Sequence, residues 1–135
     1  HLCWGNYEGP RIFEPQLGDV IGHIVKINAS VYSFEAANPR HAHEWKLFET
    51  VKLPEGKVLI PGVLESKTNF IEHPELVAER IARFAGIVGK ERVIAGTDCG
   101  FGTFAGFGKV HPDIAYGKLE ALREGARLAS ERLWS

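Results

Sequence analysis

The chain has 135 residues and a mass of 15.0 kDa, one domain's worth of sequence and enough to bury a core. Sixteen Lys and Arg against seventeen Asp and Glu leave a formal charge of −1, which gives no electrostatic footprint for nucleic acid or an anionic membrane. No apolar run approaches the ~18 residues of a membrane span, no segment reads as a signal peptide, and two cysteines are too few for a disulfide-stapled secreted domain, so a reducing, cytoplasmic setting is expected. Methionine is absent, so the chain is expected to begin inside something longer or to have been processed.

His1 to Trp4 reads as the end of a strand whose beginning is missing. Leu17, Val20, Ile21, Ile24 and Ile27 then repeat at helical spacing. Residues 31–34 form a short apolar strand, and a shorter helix starting near Arg40 carries Trp45 and Phe48. A second strand runs from 58 to 64. Pro74, with Glu75 in the first turn, opens a helix whose stripe is Val77, Ile81, Phe84 and Val88 and which Gly89 stops. Residues 93–96 are a third strand. Pro112 opens the last helix, with Ala115, Leu119, Leu122, Ala126, Ala129 and Leu133 as its expected stripe.

Strands that are nearly continuously apolar and alternate with helices argue a parallel sheet covered by helices, an α/β fold. Four β/α units would be half of a (β/α)8 TIM barrel, which needs ~250 residues. A small open sheet, complete in itself, is the alternative, and length alone does not choose between them. Residues 1–135 read as a single domain, with no repeat, low-complexity tract or linker.

In a barrel, functional groups stand at the C-terminal ends of strands. Those positions hold His1 and Cys3, then Glu35, then Glu65 and Lys67, then Asp98 and Cys99. Residues i and i+2 of a strand point to one side, so His1 and Cys3 can meet one ion. Imidazole and thiolate suit zinc, and Cys99 and Glu35 would complete a set of two sulfurs, one nitrogen and one oxygen. Each element alone is weak. A buried cysteine is more often a small core residue, a glutamate after a strand more often caps a helix or pairs with an arginine, and a Cys3–Cys99 disulfide is disfavoured in a reducing compartment.

His1-Leu2-Cys3, Ser33-Phe34-Glu35 and Thr97-Asp98-Cys99-Gly100, at this spacing, resemble the catalytic C-terminal barrel of the cobalamin-independent methionine synthase family. The resemblance covers essentially the whole chain and maps onto the second half of that barrel. It implies zinc as cofactor, with His1, Cys3, Glu35 and Cys99 as ligands, and a small-molecule thiol and a methyl or alkyl donor as partners. The activity it implies is methyl transfer from methyltetrahydrofolate to the thiol of homocysteine. Lys67 stands near where the family carries a histidine that protonates the leaving group, and Lys67-Thr68-Asn69 is more similar to shorter relatives that join an epoxide to coenzyme M. Lys67 and Asp98 are the catalytic candidates, and Arg40, Glu65 and Trp4 the candidates for binding substrate; Arg40 would hold a carboxylate or sulfonate bidentately. His41 and His43 are expected on a surface loop. The glycine- and phenylalanine-rich stretch 100–108 matches no nucleotide-binding fingerprint and reads as a partly apolar loop over the site, either covering substrate or serving loop packing alone. Half a barrel leaves open sheet edges, so self-association or a missing N-terminal half-barrel is expected. A non-catalytic, zinc-binding half-barrel is the alternative outside catalysis.

Overall fold

A computed structural model describes residues 1–7, 9–102, 105–106 and 108–135. Three strands, β1 (Val31–Phe34), β2 (Val58–Leu64) and β3 (Gly96–Thr97), form a parallel sheet in the order β1-β2-β3. Leu2 bridges Phe34 in parallel, so the N-terminal segment flanks the free side of β1. The strands run in one direction because helical segments cross over from β1 to β2 and from β2 to β3. The chain is therefore α/β with a parallel sheet.

Local chemistry sets the helix ends. In α1 (Leu17–Ile24) the Gln16 N–H donates to Asp19 Oδ2 at 3.0 Å. In α2 (Pro74–Val88) the His73 ring accepts the Glu75 N–H, and Gly89 at φ +100° lets the chain turn away where a Cβ would be strained. His111 caps α3 (Pro112–Trp134) in the same way, accepting the Asp113 N–H. Among the described residues no helix is long and apolar enough to cross a membrane.

Two cores fix the layers. In the first, Leu17 and Ile21 of α1 meet Tyr32 and Phe34 of β1, Leu59 of β2 and Phe84 of α2. Phe34, Phe48 and Phe84 pack as an aromatic triangle with centroids 5.4 to 5.8 Å apart, one pair stacked and two edge-on. In the second, Val63 and Leu64 of β2 meet Val77, Ala78 and Ile81 of α2 and Ala129 of α3. The two helices approach closely at Gly125, where a Cβ would sit 2.8 Å from the Pro74 carbonyl oxygen.

Four expectations need correction. The third strand is not 93–96: a 3-10 turn (Lys90–Arg92) delivers Val93 to an isolated bridge with Leu59, and the ladder resumes at Gly96 opposite Gly62, with a register shift on β2 between Gly62 and Leu64. The helix expected from Arg40 is a 3-10 helix, Glu44–Glu49, preceded by turns. α1 ends at Ile24, leaving Ile27 exposed. The buried face of α3 is Lys118, Ala121, Gly125 and Ala129, with Leu122, Ala126 and Leu133 at its margin and Leu119 exposed. That rotation follows from Lys118, whose ammonium finds Glu72 Oε2 at 2.7 Å in the interior.

Candidate metal centre

His1, Cys3 and Cys99 converge where the strands end, and their ligand atoms all lie within 4.8 Å of one another. The parallel order explains the meeting: the N-terminal segment runs beside β1, while Thr97 leads β3 into Cys99. His1 Nδ1 lies 3.0 Å from Ser33 Oγ, which orients the ring and turns Nε2 toward Cys99 Sγ at 3.8 Å. Glu35 joins through Oε1, 3.5 Å from Cys99 Sγ. The same Oε1 accepts the Trp4 backbone N–H at 3.0 Å, and Oε2 accepts Asn38 Nδ2 at 2.7 Å and Arg40 Nη2 at 3.3 Å. Both cysteines are free thiols, so the disulfide reading falls away.

Burial raises the Cys99 thiol well above its usual range, and the charges of Glu35 and Cys3 raise it further. Two sulfurs and a carboxylate crowd one another there, with an imidazole alongside. Such a donor set suits a divalent ion, and soft sulfur with imidazole suits zinc. The residues fit. A cleft of about 350 Å³ opens over His1, Ser33, Ile60, Thr97, Cys99 and Gly100, so the cluster faces open space.

The other candidates lie elsewhere. Arg40, Glu65 and Lys67 line a larger cleft of about 960 Å³, together with Tyr7, Phe70 and Arg80. Lys67 Nζ sits 3.9 Å from Glu65 Oε1, and the Lys67 backbone N–H donates to Glu65 Oε2 at 2.8 Å. Arg40 pairs with Glu14 as well as Glu35. Glu35 therefore links the cluster, through Oε1, to Arg40 of the larger cleft, through Oε2. Trp4 acts through its backbone N–H, while its ring stacks on His41 with centroids 5.2 Å apart.

Asp98 is 1 % exposed and lines neither cleft. Its Oδ1 accepts the N–H groups of Ala36 and Ala37, and its Oδ2 those of Asn38, backbone and side chain, at 2.8 to 3.0 Å. It closes the turn behind Glu35. Burial raises its carboxyl against the pull of those donors.

His41 is not on a surface loop. It is fully buried, with Nδ1 2.7 Å from Glu44 Oε2 and Nε2 3.5 Å from Glu14 Oε1, whereas His43 is exposed as expected. Sequence reading missed Asn38 and Ser33, which hold Glu35 and His1. Their signal was position alone, Ser33 two residues before Glu35 and Asn38 three after. In the stretch 100–108, Thr103, Phe104 and Phe107 lie outside the described residues.

No family profile matches the chain. It is 24% identical to the 2-hydroxypropyl-CoM lyase of Xanthobacter autotrophicus over 98% of its own length and 40% of the lyase. Its structure superposes on a B12-independent methionine synthase from Shewanella sp. W3-18-1, solved in complex with selenomethionine. The TM-score is 0.71 at 26% identity, over 87% of this chain and 31% of the synthase. The resemblance to methionine synthases and their alkyl-transferring relatives thus holds in sequence and in structure. The chain spans less than half the length of either relative.

Proposed function

We propose that this chain is the C-terminal half of a (β/α)8 barrel that transfers a methyl or alkyl group to a substrate thiol with the help of zinc. The observation that carries the reading is the meeting of His1, Cys3 and Cys99, with Glu35 at their edge, at the ends of parallel strands. Those four residues would hold the metal. Zinc, when bound there, supplies a Lewis acid that lets a thiol ionise near neutral pH.

The chain's own groups do the rest. Ser33 sets the His1 ring, and Trp4, Asn38 and Arg40 hold the two Glu35 oxygens. Arg40 also lines the larger cleft, where its guanidinium would receive a substrate carboxylate or sulfonate. Lys67 presents an ammonium to the same cleft. It would hold the oxygen that takes the electron pair when an epoxide C–O bond breaks as the S–C bond forms.

Two donor–acceptor pairs follow. The first is methyltetrahydrofolate with homocysteine, giving methionine. The second is an epoxide with coenzyme M, favoured by Lys67 and by the similarity to the lyase. The setting we propose is the cytoplasm, where thiols stay reduced. Zinc-loaded protein should form one of the two thioethers, detected by mass spectrometry, and chelator-treated protein neither. A zinc-loaded chain that forms no thioether from either pair would leave a non-catalytic metal-binding half-barrel.

A further inference from the structure

We infer that Asp98, Asn38 and Gly62, none of them a ligand, form a positioning device that fixes Glu35 and Cys99 relative to each other. The inference rests on the metal-site reading above. Glu35 follows β1 and Cys99 follows β3, and the sheet order puts β2 between them. No ladder hydrogen bond joins those two strand ends, so some other link must set their separation.

The Asp98 carboxylate is that link. Its own N–H donates to Leu64 O of β2 at 2.9 Å, which anchors the residue before Cys99 to the middle strand. Its side chain then reaches across β2 to the turn that follows Glu35. There it takes three consecutive backbone N–H groups, those of Ala36, Ala37 and Asn38, each at 2.8 Å. The crossing requires Gly62. A Cβ there would overlap Asp98 Oδ1 and lie 2.8 Å from the Asp98 Cα and N, so a change of rotamer could not relieve the clash.

Asn38 carries the restraint to the ligand. Its Nδ2 donates one hydrogen to Asp98 Oδ2 at 3.0 Å and the other to Glu35 Oε2 at 2.7 Å. One amide thus separates and satisfies two buried carboxylates. With Oε2 held, Oε1 is the Glu35 oxygen left facing Cys99 Sγ. Glu35, Asn38 and Asp98 are each 2 % exposed or less, so water cannot replace a lost partner.

Cobalt(II) titration of the full chain tests this, read by the thiolate-to-metal charge-transfer band and the d–d bands. Asp98→Asn turns an NH2 toward N–H donors, Gly62→Ala displaces the Asp98 carboxylate, and Asn38→Ser removes the amide bridge together with the Oδ1 that accepts the Arg40 N–H at 3.2 Å. Each should weaken cobalt binding by about 10- to 100-fold and alter the d–d pattern. Leu122→Ala, in the second core and remote from the cluster, should lower the melting temperature and leave affinity and spectrum unchanged. If Asp98→Asn or Gly62→Ala does not fold, Asn38→Ser carries the test. Wild-type affinity and spectrum in a folded variant would overturn the positioning role. A wild-type chain that takes up no cobalt would overturn the metal-site reading itself, and this inference with it.

Discussion

Lys118→Met removes the charge that seats α3. Lys118 is 0 % exposed, and its Nζ donates to Glu72 Oε2 at 2.7 Å and Thr68 Oγ1 at 3.2 Å, 5.0 Å from the centre of the Phe70 ring. Methionine fills much the same volume without a charge. Glu72, 6 % exposed, would then keep the Glu65 N–H at 2.9 Å but lose its counterion. Removing one partner of a buried ion pair costs about 3–5 kcal/mol, whereas removing both charges is often nearly neutral. For a chain of this length each kcal/mol moves Tm by about 3 °C, so the single variant should melt roughly 10–15 °C lower. The double variant Lys118→Met/Glu72→Gln keeps an acceptor for the Glu65 N–H and should recover most of the loss. Urea unfolding followed by circular dichroism measures both. A loss below about 1 kcal/mol in the single variant, or a double variant no more stable than the single, would refute the reasoning. The same pair ties residues 65–72, which carry Lys67, to α3, so the single variant should also make that loop more open to hydrogen exchange.

Phe84→Ala empties one corner of the aromatic triangle and should cost about 3–5 kcal/mol in chemical denaturation. Burial pushes the Glu14 carboxyl up, but Arg40, His41 and Arg11 outweigh it and hold the group below its usual 4.5. A depressed folded value stabilises the protein above the unfolded pKa, and that contribution is lost as pH falls through the folded value. Glu14→Gln should therefore cost about 1.5–3 kcal/mol at pH 7, a gap that shrinks as the pH drops below about 4.5. It should vanish in acid, as stability curves against pH will show. The free sheet edges and the exposed Val31 and Ile94 should make the isolated chain self-associate; sedimentation giving a monomer with a cooperative melt would count against this.

What the sequence made legible was local. β1, β2 and α2 were readable because short apolar runs bounded by Pro74 and Gly89 leave few other structures. His1 and Cys3 were readable as a pair because alternate strand residues share a side. The misses are long-range pairings of polar groups. Lys118 is buried because Glu72 waits 46 residues away, and α3 turns to suit it. His41 is buried because Glu44 and Glu14 flank it. Asp98 stands beside Cys99 in sequence, yet its backbone partners lie 60 to 62 residues upstream. Hydrophobic periodicity carries no record of such partners. The β3 shift escaped for a related reason, since register depends on the neighbouring strand.

The most direct test of the account is a competitive zinc titration of the reduced chain beside Cys99→Ala. One zinc per chain is expected, bound tightly by the wild type and lost or greatly weakened in the variant. No zinc bound by the wild type, or an equal affinity in Cys99→Ala, would contradict it.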